Sequence, residues 1–219
     1  RGAKPDPVQL DHAMIRRLKT EIPDYPDGRP RFPKRKIHAL EVDYPLAEVE
    51  IHKLLKHFGE LRRKNQKGKS GSFAAAFVHK LLKKRLFSSP IAFRKTLDEH
   101  VATLKGRTRK KVEVKYDLLR KRLDRVDAEE FADEDERDEA TQDALEAAAD
   151  AQIEIAEDEQ TVIDSMRKWA EAASRGPDAK AQALIDWLNE HVRPGGEWCD
   201  RRVIIFTEYR ATQNWLQEV

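Results

Sequence analysis

The stretch Ser72–Leu104, SFAAAFVHKLLKKRLFSSPIAFRKTLDEHVATL, leaves room for little but two consecutive helices. Wound at 3.6 residues per turn, Phe73–Phe87 gathers Phe73, Ala74, Phe77, Val78, Leu81 and Leu82 on one face. Lys80, Lys83 and Lys84 fall on the other, with Arg85 beside them. Ser88-Ser89-Pro90 then punctuates the pattern: Ser89 suits an N-cap, and Pro90 suits the first helical position, where its missing N–H costs nothing. A second helix carries Phe93, Leu97, Val101 and Leu104 at spacings of four, four and three. The pattern predicts a two-helix core element presenting a cationic ridge to nucleic acid. An amphipathic helix with a solvated charged face is the plainer reading of this stretch alone, so the rest of the chain must decide.

Charge is distributed unevenly. Residues 1–125 hold 33 Lys and Arg against 15 Asp and Glu, a net +18, whereas residues 126–178 hold 4 against 19, a net −15. A segment at +18 suits phosphate, and the acidic block suits a mask over it. Charged residues make up 37% of the chain and aromatics only 7%, which points to a helix-rich protein with much exposed charged surface. No apolar run approaches the roughly 20 residues of a membrane span, and no signal peptide opens the chain. Cys199 stands alone, so there is no disulfide framework, and a reducing cytoplasm is expected. Arg1 begins without Met and Val219 stops inside an apolar helical pattern, so the chain reads as part of a longer protein.

In chain order, Asp11 can cap a short helix bearing Met14, Ile15 and Leu18, and Pro23–Pro33 forms a turn-rich connector. Lys36–Tyr44 alternates, with Leu40, Val42 and Tyr44 on one face, and predicts a strand. Leu46–Arg63 predicts a helix with Val49, Leu54, Leu55, Phe58 and Leu61 inward. Arg62–Gly71 reads as a flexible basic loop, and Gly106–Lys111, GRTRKK, as a second basic cluster. Val112, Tyr116, Leu119, Leu123 and Val126 form a narrow seam like that of a helical hairpin. Ala128–Thr141 is so acidic that a mobile tip is expected. Ile155, Val162, Met166, Trp169 and Ala173 resume the helical pattern as the returning arm of that hairpin. Asp178 can cap a helix lined by Leu184, Trp187, Leu188 and His191. Val203-Ile204-Ile205-Phe206 reads as a strand buried on both faces, as in a parallel sheet, and a helix begins again near Thr212.

Catalytic constellations are missing from this pattern. His52 and His57 lie five apart, off the i, i+4 geometry of a helical metal site, with no Cys in support. The GKSG at Gly68–Gly71 lacks the upstream glycine and preceding strand of a phosphate loop. No Ser/His/Asp or Cys/His arrangement stands out. The chain alone is expected to be non-catalytic, with no cofactor or metal of its own.

The order of elements resembles a known family. Met14-Ile15-Arg16-Arg17-Leu18-Lys19, a Pro-rich stretch to Phe32-Pro33-Lys34-Arg35, the predicted strand Ile37–Tyr44 and a helix resemble the junction after the first motor lobe of Swi/Snf-type helicase-like ATPases of superfamily two. Lys80–Ala92, with Arg85-Leu86-Phe87-Ser88-Ser89-Pro90, is similar to bacterial members, including the RNA-polymerase-associated remodeller and the helicase of DISARM phage-defence systems. Lys180–Leu188 followed by Arg202–Arg210, RVIIFTEYR, resembles the opening of the second RecA-like lobe. The match covers residues 8–63, 73–95 and 178–219.

The resemblance implies four regions: the end of the first lobe and a connector (1–45), a helical linker (46–104), a charged helical insertion (105–177) and the start of the second lobe (178–219). It implies a mainly α protein, α+β in detail, with a short strand near 36–44 and the first strand of a RecA-like lobe at 202–207. The parent would be a DNA-dependent ATPase, with ATP and magnesium held elsewhere in it.

The expected nucleic-acid contacts follow from charge at Arg62, Arg63, Lys64, Lys67, Lys69, Lys80, Lys83, Lys84, Arg85, Arg107, Arg109, Lys110 and Lys111. Resemblance adds Arg16, Arg17 and Lys19 at the lobe junction and Thr207 and Arg210 near the nucleic-acid track. The expected partners are DNA, gripped by its backbone without sequence preference, and the remaining motor lobes. A rival reading makes the insertion a helical module that docks a protein partner. No membrane partner is expected.

Overall fold

The computed structural model describes residues 18–106, 116–127, 131 and 133–219, and divides into two units that meet between Glu41 and Val42. The described part of the first holds a 3-10 turn at Lys19–Glu21 and a second turn closed by the Gly28 N–H on the Tyr25 carbonyl. Proline and glycine set its course, and Gly28 takes a positive φ of 78° where the chain reverses. Tyr25 anchors the turn: the Arg31 guanidinium lies 4.7 Å from its ring centre and Arg29 pairs with Asp27 at 2.7 Å.

The second unit is helical. Its elements are α1 (Leu46–Asn65), α2 (Gly68–Ser88), α3 (Pro90–Lys105), α4 (Tyr116–Asp127), α5 (Glu134–Ala151), α6 (Glu157–Ala173), α7 (Ala179–His191) and α8 (Arg210–Glu218). Helices α1 to α6 enclose one core. α1 and α2 form a hairpin across a two-residue connection, α3 lies against α2, α5 and α6, and α4 pairs with α5. Ile51, Leu55 and Phe58 of α1, Phe77, Leu81 and Leu82 of α2 and Phe93, Leu97 and Val101 of α3 share one core cluster. Leu145, Ile163 and Met166 close the far side. Each large side chain sealed there contributes about 1.5–3 kcal/mol relative to exposure.

The Ser88-Ser89-Pro90 joint forms as the residues dictate. Ser89 Oγ accepts the Ala92 N–H at 3.2 Å, and Pro90 opens α3. Asp178 caps α7 in the same way, accepting from Ala181 N at 2.8 Å.

Three expectations are corrected and a fourth is not shown. The supposed loop at Arg62–Gly71 is only Gln66-Lys67, because α1 runs on to Asn65 and α2 begins at Gly68, whose φ of 74° makes the turn. The acidic tip is helical from Glu134. Asp133 accepts the Glu136 N–H at 2.9 Å, and Glu134, Asp135 and Glu136 sit at the positive end of the helix dipole, so negative charge favours this end. Ala140, Ala144, Ala147, Ala148 and Ala149 then let α5 lie deep in the core. Consequently α4 pairs with α5 rather than with α6, and its seam residues Leu119 and Leu123 are spent inside the chain's own core.

The fourth concerns strands: none occurs among the described residues, either near 36–44 or at 202–207. A strand needs a neighbour to take its backbone N–H and C=O groups. Arg202–Thr207 has none beside it among the described residues; it runs extended, with Ile204 and Phe206 76% and 90% exposed. The expected helix near Asp11 lies outside the described residues. Among the described residues no helix is long and apolar enough to cross a membrane.

Candidate nucleic-acid interface

The expected cations sort into three groups once folded. Arg62 and Arg85, placed by sequence on a basic loop and an exposed ridge, are both buried, and neither faces solvent as expected. Arg62 points inward because its position on α1 follows Phe58 by four residues, on the same core-facing side. Its Nη1 pairs with Glu159 Oε2 at 2.8 Å, and its Nη2 donates to Gln152 Oε1 at 2.5 Å and to the Ile153 carbonyl at 3.1 Å. It thereby ties α1 to the α5–α6 connection. Asn65 Nδ2 and the Ala156 N–H complete the shell around Glu159, at 3.0 and 2.9 Å.

Arg85 lies with its guanidinium carbon 3.7 Å from the centre of the Tyr209 ring. Burial lowers the pKa of this guanidinium, and neighbouring Tyr209, Asp138, Glu99 and Glu208 oppose that fall. Burial also raises Tyr209, whose hydroxyl donates to Glu208 at 2.8 Å. Beside Arg85 opens a cavity of about 290 Å³ walled by Lys95, Glu99, Asp138, Glu139 and Arg210. Carboxylates and cations alternate around it, and Lys95 is paired with Asp138 at 3.3 Å. This mixture does not make a phosphate cradle.

Arg210 forms the second group. Its backbone N–H donates to Glu134 Oε1 at 2.6 Å and its guanidinium pairs with Asp135 at 2.8 Å. Arg137 reaches back to the Glu208 carbonyl at 2.6 Å. The acidic start of α5 therefore clasps the turn that opens α8. Thr207 is half-buried, beside Ile205, Phe206 and Thr212.

The third group does reach solvent. Arg63 and Lys64 of α1, Lys67 of the connection and Lys69, Lys80 and Lys83 of α2 are exposed, and Lys84 is half-buried. Lys69 Nζ stands 4.5 Å over the Tyr116 ring. In the first unit Lys19 Nζ lies 5.6 Å from the Phe32 ring centre. Arg16, Arg17, Arg107, Arg109, Lys110 and Lys111 lie outside the described residues.

Three residues that sequence reasoning passed over stand with this group: His52, His79 and Lys180. His52, Lys56, Gly59 and Arg63 recur at four, three and four residues on α1, a spacing that could have flagged them as one stripe. Gly59 matters because His79 of α2 lies flat against it; a Cβ there would sit 2.4 Å from His79 Nδ1. Lys180 of α7 donates from Nζ to the carbonyls of Phe87 and Ser88, placing a cation on the C-terminal carbonyls of α2, where the dipole favours it.

The residues do not fit ATP or magnesium. Gly68–Gly71 follows a helix rather than a strand and enters α2 directly, without a loop to wrap phosphates. Among the described residues no group of three His, Cys, Asp or Glu converges as a metal site.

The stretches that carry the family resemblance nevertheless meet. Thr212 Oγ1 lies 2.6 Å from Ser88 Oγ and 2.8 Å from Ser89 Oγ, next to the Arg85–Tyr209 stack. Compared with protein-family models, curated proteins and solved structures, the chain matches none.

Proposed function

We propose that this chain is the helical middle region of a Swi/Snf-type, ATP-dependent DNA translocase, contributing backbone contacts to DNA and coupling between motor lobes. The observation that carries the reading is the junction at Ser88, Ser89 and Thr212. It joins Lys80–Ala92 to the helix that directly follows Arg202–Arg210, and the adjacent Arg85–Tyr209 stack joins the two stretches themselves, more than a hundred residues apart in the chain. A rigid joint there would pass movement of the second lobe into the α1–α3 helices. In this reading Val203–Phe206 is the first strand of a RecA-like lobe, and its exposed side chains are what neighbouring strands and helices cover. ATP and magnesium are bound elsewhere in the parent, so the chain supplies positioning and grip rather than chemistry.

The test is to titrate the chain against two duplexes of unrelated sequence and to assay ATP turnover with DNA present. Equal affinity for both duplexes and no turnover are expected. Discrimination between them, or DNA-stimulated hydrolysis by the pure chain, would overturn the reading.

A further inference from the structure

The groove between α1 and α2 collects charge from three helices. The helices run antiparallel, so His52 of α1 meets Phe87 of α2 and Gly59 meets His79. The His52 and Phe87 ring centres are 4.7 Å apart, Tyr44 approaches His52 edge-on at 6.2 Å, and Lys83 Nζ lies 5.9 Å from the Phe87 centre. Burial, Lys180 and Lys83 all hold His52 below its ordinary pKa. Burial, Lys83 and Arg63 do the same to His79, opposed by the Leu55 carbonyl and Glu60. Lys83 therefore stands between the two histidines, and the groove reads Lys180, His52, Lys83, His79, Arg63 along its length.

Two features set these groups apart from an ordinary solvated face. Lys95, Arg125 and Arg210 are each held by a carboxylate at 2.8–3.3 Å. Neither Lys83 nor Arg63 is ion-paired among the described residues; Asp178 and Glu48 lie near Lys180 and Tyr44, and Glu60 near His79. Spacing is the second feature. From His52 to Arg63 α1 advances about 16 Å at 1.5 Å per residue. That matches about five nucleotides at 3.4 Å each along one strand.

We propose that this groove is the track that holds a nucleic-acid phosphate backbone, and that its grip tightens on acidification through His52 and His79. The proposal rests on the DNA-binding reading above and names its surface. A phosphate beside either imidazole favours the charged form, so binding takes up protons as pH falls. Phe87, 47% exposed at one end, offers an apolar face to a base or sugar, which an acidic peptide would not use.

The experiment measures binding of the chain to oligothymidylate at low salt, at pH 7.5 and pH 6, with poly-glutamate as competitor. Three variants accompany it: Arg63→Gln with Lys83→Gln, His52→Gln alone, and Lys168→Gln on α6 as a charge control, each checked for helix content. The double variant should lose about tenfold or more in affinity, since two phosphate contacts are removed. Wild type should tighten severalfold at the lower pH, His52→Gln should tighten less, and Lys168→Gln should behave as wild type. If wild type binds DNA and the double variant binds equally well, the track is wrong while the DNA reading stands. If wild type binds no DNA at either pH, both fail. Poly-glutamate competing as well as oligothymidylate, charge for charge, would assign the groove to an acidic peptide instead.

Discussion

Arg62 and Glu159, 97 positions apart in sequence, meet at 2.8 Å inside the helical bundle with side chains 2% and 0% exposed. Desolvating two charges is costly, and the pair holds because Gln152, Asn65 and two backbone groups occupy most of the remaining donors and acceptors. Arg62→Met alone should destabilise the fold by about 3–5 kcal/mol, because it leaves Glu159 charged and unpaired in the interior. Arg62→Met with Glu159→Met should cost clearly less than the sum of the single changes. Urea unfolding of the four proteins in this cycle checks it; additive losses would mean that the two residues act separately.

His100 is buried on α3 with both ring nitrogens unpartnered, and desolvation, with Arg62 nearby, pulls its pKa to about 3. The folded state therefore keeps it neutral, while the unfolded chain binds a proton below about pH 6.5. Stability from this residue is complete above that pH and is lost as pH falls toward 3, by up to about 1.4 kcal/mol per unit. At pH 5 the loss relative to pH 7 should be about 2 kcal/mol. His100→Leu should remove that part of the pH dependence, leaving the smaller shares of His52 and His79, which act in the same direction. Denaturant midpoints at the two pH values decide it, and an unchanged difference in His100→Leu would contradict the assignment.

Gly59 lets the His79 ring lie on α1. Gly59→Ala gains up to about 1 kcal/mol in helix propensity, yet its Cβ would come within 2.4 Å of His79 Nδ1. The ring must be expelled, and the net effect should be destabilising by about 1–2 kcal/mol. Adding His79→Ala removes the obstacle, so the double variant should be more stable than Gly59→Ala alone. Thermal unfolding of both tests this order; the reverse order would mean that the ring moves aside freely.

Much of this fold was legible in the residues. The Ser89 cap, the Pro90 start, the Asp178 cap and the apolar faces of α1 to α3 follow from spacing and cap chemistry, which are local. What was not legible depends on distant partners. Arg62 and Phe58 share a face, but only Glu159 and the α5–α6 connection make that an inward place for a guanidinium. Acidic composition at Ala128–Thr141 outweighed the alanine face that seats α5. For Val203–Phe206, pattern alone indicates a strand, but forming one requires a neighbour.

The clasp on Arg210 gives the acidic block a specific action. Deleting residues 128–158 would remove Ala144, Leu145 and Ala148 from the core, so the charge must be changed in place. Glu134→Gln with Asp135→Asn should free Arg210 and strengthen DNA binding at low salt, with the gain shrinking as salt rises. Stability should change by no more than about 1 kcal/mol, as for other exposed pairs. Affinity for one duplex at two salt concentrations is the check, and unchanged low-salt binding would leave the clasp a purely structural contact.

The most direct measurement of the central claim, that this chain grips nucleic acid by its backbone, is the salt dependence of duplex binding. Lys83, Arg63 and Lys180 are the permanent cations of the α1–α2 groove, and each neutralised phosphate contributes about −0.9 to the slope of log K against log salt. The predicted slope is about −3 or steeper and the same for unrelated sequences. A slope near zero, or one that changes with sequence, would contradict it.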